Sequence, residues 1–176
     1  MKLSDILDES GPSRIIKHIH DGMPFIMVSA YRADKDHATN LRRHDRMKHI
    51  IHGLLLSYIK TEGEYHEVGA DAPSAEQSFF IMPMREHDRI PNDRLLAIGE
   101  KLMHAFDQDT IVYGDGETVW LIANDGSKDK LGNRLTFRPE IIDTLDGFSK
   151  VKGRKFSYTN ADVPSARVYG QQQQIA

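Results

Sequence analysis

The chain has 176 residues, 39% of them hydrophobic and 28% charged, with a formal net charge of −3 and no cysteine. Such a length and composition suit one soluble domain with a real core. They exclude disulfides, thiolate nucleophiles and Cys-ligated zinc, and they give no global electrostatic case for nucleic acid or an anionic membrane as partner.

In chain order, residues 1–22 read as an N-terminal arm. Leu3, Ile6 and Leu7 can form one helical turn, Gly11-Pro12 breaks it, and Ile15-Ile16 starts another short piece. The arm is expected to pack loosely or on a neighbouring subunit. Its start, Met1 to Glu9, is acidic and lacks an apolar core of signal-peptide length, and no run approaches a membrane span, so a cytoplasm is the expected workplace. Phe25 to Tyr31 is a short apolar run after Pro24 and reads as a buried first strand. A helix is predicted from about Thr39 to Leu56, with Met47, Ile50, Ile51, Leu54 and Leu55 at helical spacing and Thr39 or Asn40 as its cap. Arg42, Arg43, Arg46 and Lys48 lie mostly on its other side and read as a solvated face, with phosphate contact as the alternative.

A second strand is expected within Ser57 to Glu67. It runs through Tyr65 into the loop Val68-Gly-Ala-Asp-Ala-Pro-Ser, whose residues pack no core. The third strand, Gln77 to Met84, follows. Tyr65 before the loop and Glu76 after it return an aromatic ring and a carboxylate to one sheet edge, a way to hold a small cationic ligand. A second helix is predicted from about Asn92 to Phe106, with Gly99 on its apolar face for close backbone approach. Strands at Thr110 to Tyr113 and Thr118 to Ile122 are joined by the turn Gly114-Asp-Gly-Glu. Beyond them a short helix from Pro139 to Leu145 and a strand at Lys155 to Tyr158 are expected, then a flexible tail over 161–176 ending in a glutamine run.

The order β-α-β-β-α-β-β gives an α+β fold: a mostly antiparallel sheet with two helices on one face, close to the ferredoxin-like or split βαβ plan, in a single domain over 23–160. The second sheet face needs a cover, either the C-terminal third or an identical subunit.

Motifs for familiar chemistry are missing from the sequence. It has no Gly-rich phosphate loop, no Gly-x-Ser-x-Gly elbow and no His-Glu-x-x-His. His18 with His20, or His49 with His52, can supply two metal ligands each, but no third ligand stands at a family spacing, so no metal is expected. The aromatics are too scattered for a base-stacking platform, and Trp120 reads as core.

Four blocks in order nevertheless resemble the S-adenosylmethionine (AdoMet) hydrolases, or lyases, of short-tailed bacteriophages. They are Val28-Ser-Ala-Tyr-Arg32; Asn40-Leu-x-Arg-His-x-x-Met47; Gly63-x-Tyr65-x-Glu67 followed by Ala72-Pro-Ser-Ala-Glu76; and Gln108-Asp-x-x-Val-Tyr113. The resemblance covers roughly residues 25 to 125. It implies an enzyme made early in phage infection that removes AdoMet from the host cytoplasm and so counters restriction. It also implies a homotrimer with active sites between subunits, no cofactor, and host AdoMet synthetase as a conceivable partner. By position it makes Tyr65 and Glu76 the central residues and Gln108 a further one, with the Ser29, Ala30 and Tyr31 backbone lining the adenine pocket. One relative carries two adjacent acids at the loop's end. This chain has Ala75 then Glu76, so the first acid is not essential here.

The implied reaction accounts for the missing motifs. AdoMet brings its own leaving group, a sulfonium, and its own nucleophile, the methionine carboxylate, which attacks the γ-carbon to give homoserine lactone and methylthioadenosine. The hydrolase version would have Glu76 activate water and give homoserine directly. Two readings from other classes stand beside it. One is a non-enzymatic anti-restriction protein such as a DNA mimic, for which −3 is a small charge. The other is a regulatory trimer that binds AdoMet or a nucleotide without turnover.

Overall fold

The computed structural model describes residues 11–65, 74–83, 90–142 and 147–160. The arm's first ten residues, the loop between Tyr65 and Ser74, and the tail from 161 lie outside these. Four helices are described, α1 (Gly11–His20), α2 (His37–Gly53), α3 (Asn92–Ala105) and α4 (Pro139–Ile142). Strands β1 (Phe25–Ser29), β2 (Leu56–Tyr65), β3 (Ser74–Pro83), β4 (Thr110–Gly114) and β5 (Val119–Ala123) come first. They are followed by β6 (Lys128–Gly132), β7 (Arg134–Thr136), β8 (Gly147–Val151) and β9 (Arg154–Thr159). The sheet order is β6-β5-β4-β1-β3-β2-β8-β9-β7, and every described pair is antiparallel.

The chain is thus α+β with a mostly antiparallel sheet, and the sheet curls. β6 runs on into β7, which pairs with β9 at the far end of the order, and the Asn133 amide donates to the Thr159 carbonyl at 2.9 Å. The backbones meet so closely there that a Cβ on Gly132 would lie 2.5 Å from the Thr159 oxygen.

Why β1 is apolar throughout follows from its place in the middle of the sheet, where both faces are covered. Ile26 and Val28 join a core under α2 and α3 with Met47, Ile51, Phe79, Ile81, Leu95, Leu102 and Met103. Phe25 and Met27 join a second core with Ile59, Phe80, Met82, Val112, Val151 and Phe156. Each fully buried chain of this size contributes about 1.5–3 kcal/mol. Gly99 lets α3 lie against β1 and β4, since a Cβ there would meet Ile111 Cδ1 at 2.9 Å.

Several boundaries differ from the sequence reading. Helix α2 starts at His37, not Thr39, because Asp36 caps it, accepting from the Thr39 amide at 2.8 Å and the Thr39 hydroxyl at 2.7 Å. Asn40, expected as a cap, instead bridges the Arg32 amide and carbonyl. The third strand starts at Ser74, three residues before the predicted Gln77, and so takes in Glu76. Strands β6, β7 and β8 occupy polar or short segments that periodicity passed over. Of the two covers expected for the second face, the C-terminal third supplies one, with α1 beside it. Ile15 of that helix, read as part of a loose arm, is fully buried in the second core.

Candidate functional site

The site is built at the end of β1, where the chain leaves the sheet beside the loop joining α3 to β4. A cavity of about 660 Å³ opens there, lined among others by Ser29, Tyr31, Arg32, Ser78, Gln108 and Thr110. Its size is in the range of small-ligand sites.

Two side chains hold the strand exit in place. Arg43 Nε donates to the Ala30 carbonyl at 2.7 Å, and its Nη2 donates to the Phe106 carbonyl. Its guanidinium lies 5.6 Å from the centre of the Phe106 ring, and Nη1 stands 3.5 Å from the Asp107 carboxylate. Gln108 Nε2 donates to the next carbonyl, Tyr31, at 2.9 Å, and to Phe106 at 3.0 Å. Two consecutive carbonyls of the exit are therefore tied to one carbonyl of the opposing loop. Arg32 extends the same tie, with Nη1 donating to the Asp107 carbonyl and standing 3.6 Å from Asp109. The solvated-face reading of Arg43 is thus replaced: its side chain is only 18% exposed. A strongly hydrogen-bonding fork is what bare loop carbonyls attract.

Of the predicted site residues, Ser29, Tyr31 and Gln108 meet in the cavity wall. Ala30 between them turns its side chain into the helix-covered core. The Ser29 hydroxyl is spent on backbone, donating to the Gln77 carbonyl at 2.8 Å and accepting from the Tyr31 amide at 2.9 Å. Both amide hydrogens of Gln108 are likewise spent. These groups shape the site more than they reach into it.

Tyr65 and Glu76 lie in the β2–β3 ladder, where Tyr65 pairs with Ser74 and Gly63 with Glu76. In an antiparallel ladder directly paired residues share a face, and so do residues two apart. Positions 65 and 76 therefore stand on one face as diagonal neighbours. Ser78, two residues on from 76, shares that face and lines the cavity, and it pairs with Ser29.

Behind the site, on the helix side, His44 is buried and stacks on Phe79 with centroids 4.2 Å apart, and Tyr31 meets it edge-on at 5.7 Å. Among the described residues neither ring nitrogen of His44 has a hydrogen-bond partner, and the Tyr31 hydroxyl has none either. Burial, helped by Lys60 and Lys48, lowers the His44 pKa to about 4, so the ring is neutral at pH 7. His18, weighed above as a metal ligand, has Nε2 2.9 Å from the Pro24 carbonyl. Trp120 packs against the helix-covered core and donates to Asp115 at 3.0 Å.

Sequence reasoning passed over Arg43 as a site element and gave Ser78 no role. The signal for Arg43 was its place one helical turn after Asn40, so that both face the same loop. Ser78 had none before the register was known.

The family model described as the S-Adenosylmethionine lyase family matches residues 26–161, from β1 to just past β9. No curated protein matches the chain.

Proposed function

The chain belongs to the S-adenosylmethionine lyase family, an enzyme family, and from that premise we propose that it cuts AdoMet into methylthioadenosine and homoserine lactone. A carboxylate oxygen of the methionine arm forms a bond to the γ-carbon. The bond from that carbon to sulfur breaks, and its electron pair stays on sulfur. No external nucleophile and no proton transfer is needed. The protein's task is to fold the arm so that oxygen, carbon and sulfur fall in line, which is worth about 7–11 kcal/mol when complete. Carboxylate and sulfonium charges both fade on the way to the transition state, so a partly desolvated site favours the step.

The observation that carries this reading is the register. It sets positions 65 and 76 on the same sheet face as Ser29 and Ser78, next to the cavity those serines line. In this reading the adenosine end takes the cavity between the Ser29–Tyr31 exit and Gln108. Tyr65 lies along the methionine arm, and Glu76 holds the ammonium or the ribose hydroxyls. A carboxylate set against the sulfur would stabilise the ground state and slow the step, so Glu76 is a clamp and not the nucleophile. The active assembly is a homotrimer with sites between subunits. Its role is to drain the methyl donor that some restriction systems need, in a phage-infected cytoplasm.

The test is incubation of the purified chain with AdoMet, quenching at early times, and chromatography of the products, with hydroxylamine present to trap lactone. Methylthioadenosine and trapped lactone in equal amounts are expected. Homoserine without trappable lactone would make the enzyme a hydrolase. AdoMet intact over hours would end the assignment.

A further inference from the structure

Along β1, β3 and β2 the face that carries position 76 changes character within two residues. Met27, Phe80 and Ile59 form one register row, all in the second core. The next row on the same face is Ser29, Ser78 and Thr61. The row after that holds Glu76, Gly63 and, on β8, Ser149, and ends against the core residue Phe156 of β9. Ser29, Ser78, Thr61 and Ser149 are all buried, at 6%, 8%, 2% and 6% exposure. A closed core gains nothing from hydroxyls there, and burying one without a partner costs about 1–3 kcal/mol. Thr61 bears that cost, because its Oγ1 has no hydrogen-bond partner among the described residues. Between Glu76 and Ser149 stands Gly63, which puts no side chain on the face. The result is a polar track. It runs from Ser29 and Ser78 in the cavity wall, past Thr61, to positions 76 and 149 on either side of the buried Gly63.

We infer that Thr61 and Ser149 are substrate-binding residues, their hydroxyls holding the amino-acid end of AdoMet beside Gly63. The inference rests on the function proposed above. The adenosine end fills the cavity, and three strand spacings, about 14 Å, separate Ser29 from Ser149 across the face. The chemistry fits the reaction. The arm's carboxylate must be oriented through one oxygen while the other attacks. A neutral hydroxyl does this by donating a single hydrogen bond. A lysine or arginine at the same place would hold the carboxylate charge too well and blunt its attack.

Thr61→Val is the decisive variant, since it keeps the shape and removes only the hydroxyl. A purely structural Thr61 predicts an equal or higher melting temperature and unchanged kinetics. A binding Thr61 predicts the same stability result together with a fall in kcat/KM for AdoMet of about 10–100-fold. Inhibition by methylthioadenosine, which lacks the amino-acid end, should stay within about twofold, the loss being confined to one hydrogen bond. Ser149→Ala should act in the same direction, and Thr61→Ser, which keeps the hydroxyl, should stay near wild type. Unchanged kcat/KM in Thr61→Val would overturn the inference. So would a parallel loss of AdoMet turnover and methylthioadenosine inhibition. Either result leaves the lyase reading intact as long as the wild-type control turns AdoMet over, and absence of turnover in that control removes both.

Discussion

The two faces of the sheet use the same strands for different ends. Under α2 and α3 the face is sealed: Ile26, Val28, Phe79 and Ile81 meet Met47, Ile51, Leu95 and Leu102. Even its histidine, His44, is stacked, buried and uncharged at pH 7. On the opposite face Met27, Phe80 and Ile59 belong to the second core. Past that row β1, β3 and β2 carry hydroxyls and glycine, with Thr61 unpaired among the described residues, before the face turns apolar again at Phe156. A protein selected for stability alone has no use for such a row. In the inference above, burial of the Thr61 hydroxyl without a hydrogen bond is tolerated because a ligand satisfies it.

That contrast can be broken by mutation. The largest effect is expected from Phe79→Ala on the helix side. Phe79 is fully buried between His44 and Tyr58, and its truncation should cost about 3–5 kcal/mol in denaturant unfolding. A loss under about 1 kcal/mol would mean that face is loosely packed, against the density normal for interiors. Next comes Glu76→Gln on the other face, which should lower methylthioadenosine formation at least about 100-fold, or ~2.7 kcal/mol of barrier. Its unfolding midpoint should match the wild type. Wild-type turnover in that variant removes Glu76 from the site.

The smallest effect is a slope and not a step. His44 has a pKa of about 4 when folded against an ordinary 6.5, so the unfolded chain takes up its proton first. Its neutral burial is compatible with full stability above about pH 6.5, and stability falls as pH drops from there toward about 4. Lys60 and Lys48 push the same way and Asp45 opposes them. Melting temperatures measured across that window should fall less in His44→Leu than in the wild type. His18, whose pKa burial also lowers, will leave part of the slope in place. An identical slope in both proteins would show that the His44 ring is hydrated.

Much of this was legible from the residues. Leu95, Leu102 and Met103 announced α3 by spacing, and the helix formed where predicted. Phe25 to Val28 announced a strand covered on both faces. The Ser29–Tyr31 and Gln108 blocks, distant in sequence, do meet at one cavity. What could not be read was pairing. Lys128-Asp-Lys and Gly147-Phe-Ser-Lys carry no strand pattern because their partners, and not their own alternation, make them strands. Arg43 looked like solvent-facing charge because helix periodicity does not say which loop will lie across the polar side.

The family, α2, α3, the central strands and the residue types available for chemistry were legible in the chain alone, since these depend on local order and spacing. Tertiary structure decided which residues share a face. In a sheet that depends on register, and a shift of one residue would exchange the two faces. Thr61 and Ser149 are 88 positions apart in the chain and become diagonal neighbours only because Gly63 pairs with Ser149.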